Sequence, residues 1–329
     1  MNARKVLEMG GGTLLVSLPK DWAKRNGVKK GATLAVDELS ARKLIVRPIE
    51  DVSEKPREVE VEYPGQDLSE VMDDLTGAYL LGFDIIKIVG KKVISREDRA
   101  RLKATMARLV GLEIMDEDSK RLTVQFLLES SAIIPEKIVR RMSSILDGML
   151  KDTAEGLTKG DPKLLALVAE RDDEVDRLYF LLVRVIRAAI MRPEIAESYG
   201  LSPVDVLDYR VLASFLESVG DAVAELSKSL HYLKVSRQLS REFAAHVSRL
   251  KQMNDLATQA FISRRAGRPR SVKMTVDNFA REMSQDLGRI AQLPAAQGAS
   301  VAETLGSLDR VSKLLTDVSD LAVITQPVS

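Results

Sequence analysis

The residues in this chain whose types and spacing could do chemistry are carboxylates. Asp172 and Asp176 stand four apart in a run with helical periodicity, and Glu217, Asp221 and Glu225 repeat that spacing further on. Residues four apart on a helix stack on one face. Two such helices side by side would gather four or five carboxylates. Like charges at that density repel, and a bound cation would neutralise them. Oxygen ligands of this kind suit Mg²⁺, Mn²⁺ or iron, with Zn²⁺ also admissible. Spacing alone leaves a second reading open. The chain has 48 acids in 329 residues, so acidic pairs at this spacing also arise by chance. Asp173 and Glu174 could make the same run a solvated face, and Arg171 and Arg177 could pair with it.

The second chemical feature is basic. Residues 1–48 hold ten Lys and Arg against four Asp and Glu, although the whole chain carries only +1. The remainder is net acidic. Such a local excess favours phosphate neutralisation on nucleic acid. Arg4, Lys5, Lys20, Lys24, Arg25, Lys29 and Lys30 are the candidate DNA contacts. A solvated basic surface would carry the same charge.

Other chemistry is narrowed by composition. There is no cysteine, which excludes disulfides, thiolate metal sites and thiol nucleophiles, and points to an intracellular protein. The only histidines are His231 and His246, each read as structural. Neither has Glu three residues before it, so the di-iron Glu-x-x-His pattern is absent. No enzyme activity is expected, and no nucleotide or organic cofactor. Gly10-Gly11-Gly12 reads as a hairpin turn: no lysine stands at P-loop spacing, and a strand follows it. No apolar run reaches membrane-spanning length, and the first residues lack the apolar core of a signal peptide. The expected location is the cytoplasm, without membrane insertion.

The elements that must position these residues fall into three regions. Residues 1–50 read as two hairpins around a short helix at about Lys20–Arg25, with Pro19 at its start and Gly27 at its end. Trp22 is the expected core anchor. A unit this small buries little on its own, so dimerisation is expected. Residues 58–130 read as a small α+β domain with strands near 58–63, 83–89, 112–115 and 122–128. Its helices fall at 67–81 and 96–110, the second capped by Ser95 with Asp98. From Pro135 onward the pattern is helical, with helices expected near 135–158, 161–191, 203–235, 238–265, 270–292 and 300–324. The basic run Arg264–Arg270 reads as a solvated turn between two of them. Leu216–Leu226 and Leu308–Val318 match in most apolar and acidic positions at an offset of 92. Two tandem three-helix bundles, 135–235 and a degenerate 238–325, are therefore expected. The fold class is multidomain and mostly α.

Two resemblances sharpen these expectations. Val16-Ser-Leu-Pro-Lys-Asp-Trp-Ala-Lys-Arg-Asn-Gly-Val-Lys-Lys-Gly31 resembles the central signature of SpoVT–AbrB swapped-hairpin domains. That resemblance implies an intertwined dimer with basic side chains facing double-stranded DNA, although such modules also serve as antitoxins. Ala32 departs from the usual Asp. Glu170-Arg-Asp-Asp-Glu-Val-Asp-Arg-Leu178 and Asp208-Tyr-Arg-Val-Leu-Ala-Ser-Phe-Leu-Glu-Ser-Val-Gly-Asp221 resemble the two acidic motifs of the PhoU family. This second resemblance implies regulation of phosphate uptake and a metal site at Asp172, Asp176, Glu217 and Asp221. Ser218, Ala222 and Glu225 depart from the usual Arg, His and Asn. In the second repeat Lys313 falls where Asp221 falls in the first, and a lysine repels a cation; Asp309, Asp317 and Asp320 remain there.

The fused arrangement resembles archaeal phosphate regulators. It implies a DNA-binding regulator of phosphate uptake with a sensing helical half. The alternative is an adaptor that docks on a phosphate-transporter ATPase or sensor protein and uses the small module only to dimerise.

Overall fold

The computed structural model describes residues 3–40, 43–48, 56–64, 67–128, 133–264, 269–292 and 299–322. The chain divides into two compact units, Met1–Pro56 and Arg57–Ser329.

In the first unit, β1 (Val6–Met9) pairs antiparallel with β2 (Thr13–Val16), with Met9 opposite Thr13. Gly11 and Gly12 between them have φ of 95° and 84°, which L-residues rarely adopt, so the turn depends on glycine. Helix α1 (Lys20–Arg25) follows Pro19 and ends before Gly27, whose φ is 65°. Strands β3 (Leu34–Ser40) and β4 (Lys43–Pro48) form the second hairpin. None of the described residues of this unit is buried. Val6, Leu7, Leu14, Val16, Val36 and Leu44 are all exposed apolar side chains. Trp22 is half-buried, so the expected core anchor has no core to anchor within one copy. The physical reason is size: some 50 residues in two hairpins enclose too little volume.

The second unit begins with the α+β domain. Strands β5 (Glu58–Tyr63), β6 (Ile85–Gly90), β7 (Leu112–Glu117) and β8 (Arg121–Phe126) lie in the order β5-β6-β8-β7. Strands β5 and β6 are parallel, and the other neighbours antiparallel. Helices α2 (Leu68–Leu80) and α3 (Arg96–Ala107) connect them. Alternation along β6 and β8 buries Ile86, Ile88, Leu122 and Val124 against Leu75, Tyr79, Leu102 and Met106 of the helices. Ser95 caps α3 by accepting from the Asp98 amide at 3.0 Å, while the Asp98 carboxylate accepts from the Tyr63 hydroxyl at 2.5 Å.

The helical region holds α4 (Pro135–Lys159), α5 (Pro162–Glu170), α6 (Asp172–Met191), α7 (Pro193–Ser198), α8 (Pro203–Tyr232), α9 (Arg237–Ile262), α10 (Pro269–Ala291) and α11 (Ala299–Asp320). One expectation is corrected here: 161–191 is two helices, broken at Arg171, and a short helix follows at 193–198. The break has a local cause. Asp competes poorly inside a helix and well at its first turn, where free N–H groups favour carboxylates. Asp172, Asp173 and Glu174 accordingly make the first turn of α6. Arg171 turns away instead, to Asp152 of α4 at 2.7 Å, against Gly148. Helix α4 packs along α9, α8 packs along both α6 and α11, and one apolar core runs through the whole unit.

The α+β domain is locked onto α6 by Arg184. Its side chain is only 4% exposed and donates to the backbone carbonyls of Tyr79 at 2.6 Å and Phe83 at 2.9 Å. The guanidinium lies 3.8 Å from the Phe126 ring centroid. Burial pulls its pKa down to about 10, still far above neutrality.

Candidate functional site

Helices α6 and α8 run side by side, and their facing residues carry the acidic motifs. Gly220 makes the approach possible. A Cβ there would stand 2.7 Å from Asp172 Oδ1, a distance that real contacts do not allow. The result is a cluster in which carboxylate oxygens of Asp172, Asp176 and Asp221 all lie within 4.8 Å of one another. Three of the four predicted ligands thus come together. Glu217 stands outside that group, one turn before Asp221 on α8, close enough to raise the Asp172 pKa by its charge. Glu225, the next residue in the series, is drawn off to Arg310 of α11 at 2.8 Å.

The electrostatics of the cluster are strained. Burial, with the charges of Asp221 and Asp176, pushes Asp172 up to about 7. Burial raises Asp176 as well, outweighing the arginine beside it, and raises Glu217, with Asp221 and Asp176 adding to the effect. Asp172 Oδ1 is buried and accepts no hydrogen bond. A buried carboxylate oxygen without a partner carries a desolvation penalty that a cation would remove. The donor set, all hard oxygen, fits a divalent or iron cation.

Sequence reasoning missed one residue here. Arg108, at the C-terminal end of α3, reaches across from the α+β domain and donates to Asp176 Oδ2 at 2.6 Å. It lies in a region without a recognisable motif, so nothing in its local sequence marks it. The expected partners Arg171 and Arg177 form no ion pair with the cluster among the described residues.

The predicted DNA contacts are all exposed. Arg4 and Lys5 precede β1; Lys20, Lys24 and Arg25 lie on α1; Lys29 and Lys30 lie in the loop that follows. None of the seven forms an ion pair among the described residues. Lys20 and Lys24, four apart, share a face of α1.

The remaining candidates resolve as structure. His231 Nδ1 lies 2.9 Å from the Pro162 carbonyl oxygen, and burial, with Arg249 adding to it, lowers the His246 pKa. The basic run beginning at Arg264 is corrected in part. Arg264 is 7% exposed, paired with Asp205 at 2.6 Å and Asp208 at 2.8 Å and stacked on Phe261, so it is a buried tie rather than a solvated turn. Residues 265–268 lie outside the described residues. No helix among the described residues is long and apolar enough to cross a membrane.

This geometry defines a two-part chain: a strand-rich hairpin module, then a sheet domain and helical bundles with a carboxylate cluster. Comparison with known proteins gives the same division. Residues 139–230 match the PhoU domain, and residues 9–54 match the bacterial antitoxin family described as antidote-toxin recognition MazE. Among solved structures, PhoU from Pseudomonas aeruginosa aligns with a TM-score of 0.45 at 16% identity, over 57% of this chain and 93% of that one. None of the curated proteins matches the chain. The pairing of these two domains fits a regulator.

Proposed function

We propose that the chain is a cytoplasmic, DNA-binding regulator of phosphate uptake, working as a homodimer through its N-terminal module. One observation carries the reading. A module with seven exposed cations that form no ion pair, and with no buried residue, among the described residues is joined to a region matching the PhoU domain. The exposed apolar side chains of the two hairpins supply the surface for dimerisation, which would double the basic charge on one small body. Lys20, Lys24, Arg25, Lys29 and Lys30 would then neutralise phosphates, with Arg4 and Lys5 beside the first strand.

The helical half would sense phosphate status. Asp172, Asp176 and Asp221 would hold a divalent or iron cation, with Glu217 alongside as a further acceptor. A cation so bound supplies positive charge and open coordination positions that phosphate oxygens can take. Gly220 keeps α6 and α8 close enough for the three aspartates to converge. Two states of the helical half that place the DNA modules differently would make the chain a switch.

The test is binding of purified protein to DNA from upstream of its own gene and of phosphate-transporter genes, across a salt series. Sequence-preferring binding is expected, with a log–log salt slope that falls by about 0.9 for each phosphate contact removed. The quadruple charge reversal Lys24→Glu, Arg25→Glu, Lys29→Glu, Lys30→Glu should abolish it while the dimer persists. Equal binding to random DNA at low salt, or a reversal that changes nothing, would favour the adaptor that docks on a transporter ATPase or sensor protein.

A further inference from the structure

We propose that Arg108 is a built-in occupant of the α6/α8 carboxylate cluster: it competes with an incoming divalent cation for Asp176, so that cation binding releases the end of α3 from α6. This inference rests on the cluster being a cation site and adds what controls it.

Among the described residues, Arg108 is the one cation whose ion pair reaches a member of the triad. It comes from another domain, where it ends α3 just before β7. Its guanidinium donates to Asp176 Oδ2 at 2.6 Å, the carboxylate that also lies within 4.8 Å of Asp172 and Asp221. A divalent cation drawn to all three aspartates and a guanidinium held on one of them draw on the same Asp176 carboxylate. They also repel one another, so full occupation by both is unfavourable.

The exposure of the two partners decides which one moves. The Arg108 side chain is 51% exposed and Asp176 21%, so the arginine can swing into water while the aspartate stays against α8. Pairs this exposed are weak, and three converging carboxylates hold a divalent ion far better. The contact with Phe180, whose ring centroid is 5.9 Å from the guanidinium carbon, lies at the outer edge of cation–π range and holds the arginine only weakly.

Release would not detach the domain. Arg184, two turns beyond Asp176 on the same helix, is buried and bonded to the carbonyls at the end of α2. Two polar ties between the domain and α6 bear on this, one buried and fixed at Arg184 and one exposed and exchangeable at Arg108; at the far end of the helix Arg57 Nη1 also donates to Met191 Sδ at 3.6 Å. Letting go of the second frees the α3 end while the first acts as the pivot. The same coupling works in reverse: whatever holds Arg108 on Asp176 weakens cation binding by the factor that the cation weakens the contact.

Mn²⁺ titration of the full-length chain by calorimetry, with amide hydrogen exchange read over residues 105–112, tests this. Arg108→Gln should bind Mn²⁺ about 2- to 5-fold more tightly than the unaltered chain, from loss of a competitor of ordinary ion-pair strength. Arg108→Lys should fall between them. Mn²⁺ should speed exchange over 105–112 in the unaltered chain and leave it unchanged in Arg108→Gln, where it is fast already. Arg108→Gln affinity equal to or weaker than that of the unaltered chain, in folded protein, overturns the inference, as does exchange that Mn²⁺ leaves unmoved. Asp221→Asn, which does not touch Arg108, checks the underlying reading by itself: it should lose Mn²⁺ binding. If the unaltered chain takes up no Mn²⁺, the cation-site reading falls and this inference with it.

Discussion

The groove between α6 and α8 and the groove between α10 and α11 present related acidic residues with different compensation of charge. In the first, Asp172, Asp176 and Asp221 converge with Arg108 as their only ion-pair partner among the described residues. In the second, the acids are Asp277, Asp309, Asp317 and Asp320, and two lysines stand among them. Lys273 Nζ lies 3.0 Å from both Asp277 oxygens and 2.5 Å from Asp320. Lys313 Nζ lies 2.6 Å from Asp309 Oδ2 and is held above its ordinary pKa by that pair. Lys313 occupies the place of Asp221 at the offset of 92 seen between the two halves. The same offset sets buried Ser312 against Gly220. The second groove pairs three of its four acids with its own ammonium groups and holds a buried side chain where the first has Gly220. The first groove does neither, which is why the proposed cation site falls there. Similar scaffolds with similar acids therefore do not make similar sites; the distribution of lysines decides.

The sharpest way to break this comparison is to remove the uncompensated charge. Asp172→Asn with Asp221→Asn should weaken Mn²⁺ binding by at least about 100-fold in calorimetry, since two of three charged ligands are lost. Lys273→Ala with Lys313→Ala, in the other groove, should leave that affinity within about 2-fold. A comparable loss from both pairs would mean the grooves are not distinct.

The crossing point comes next. Gly220→Ala puts a methyl group 2.7 Å from Asp172 Oδ1 and should destabilise the fold by about 1–3 kcal/mol in denaturant unfolding. Ser312→Ala adds no volume and should stay under about 1 kcal/mol. Equal costs at the two positions would deny the close approach its importance.

A smaller effect is expected from pH. Asp172 has its pKa raised in the folded state to about 7, from 3.8 in the open chain. Between those values the folded form binds more protons than the unfolded form, so stability falls as pH rises through that window. Cation-free protein should therefore melt at a lower temperature at pH 7.5 than at pH 5.5. Added Mn²⁺ should stabilise it more at pH 7.5, where the carboxylate is free to ligate. A melting temperature that climbs across that range without metal would show that other groups dominate.

The smallest change is predicted for the exposed Lys313–Asp309 pair alone. Its loss in Lys313→Ala should leave the midpoint of denaturant unfolding unchanged within error.

Much of the architecture was legible because it rests on local rules. The alternation in Glu58–Tyr63, the Ser95 cap, Pro and Gly at the helix boundaries and the 3.6-residue periodicity after Pro135 each locate an element close to where it is found. The two hairpins around Lys20–Arg25 follow from their turn residues in the same way. The break at Arg171 was hidden because no proline or glycine marks it; the preference of Asp172 for a first helical turn becomes visible only when Arg171 has Asp152 to turn towards. Arg264 misled for a related reason. A basic run looks solvated until Asp205 and Asp208, more than fifty residues away in sequence, are found beside it.

What the sequence by itself determined is the inventory and the faces. It set which carboxylates share a helix face, where the basic excess lies, which thiol and histidine chemistries are absent, and that Lys313 stands in the second half where the first has Asp221. Those properties depend on residue type and on spacing within one element, and neither changes on folding. What only the tertiary structure decided is which faces meet and what charge arrives from elsewhere. Gly220 brings α8 onto α6, Glu217 stands outside the triad while Asp221 joins it, and Arg108 reaches Asp176 from a separate domain. Convergence and charge balance depend on distances between segments remote in the chain. Packing sets those distances, and no local pattern encodes them.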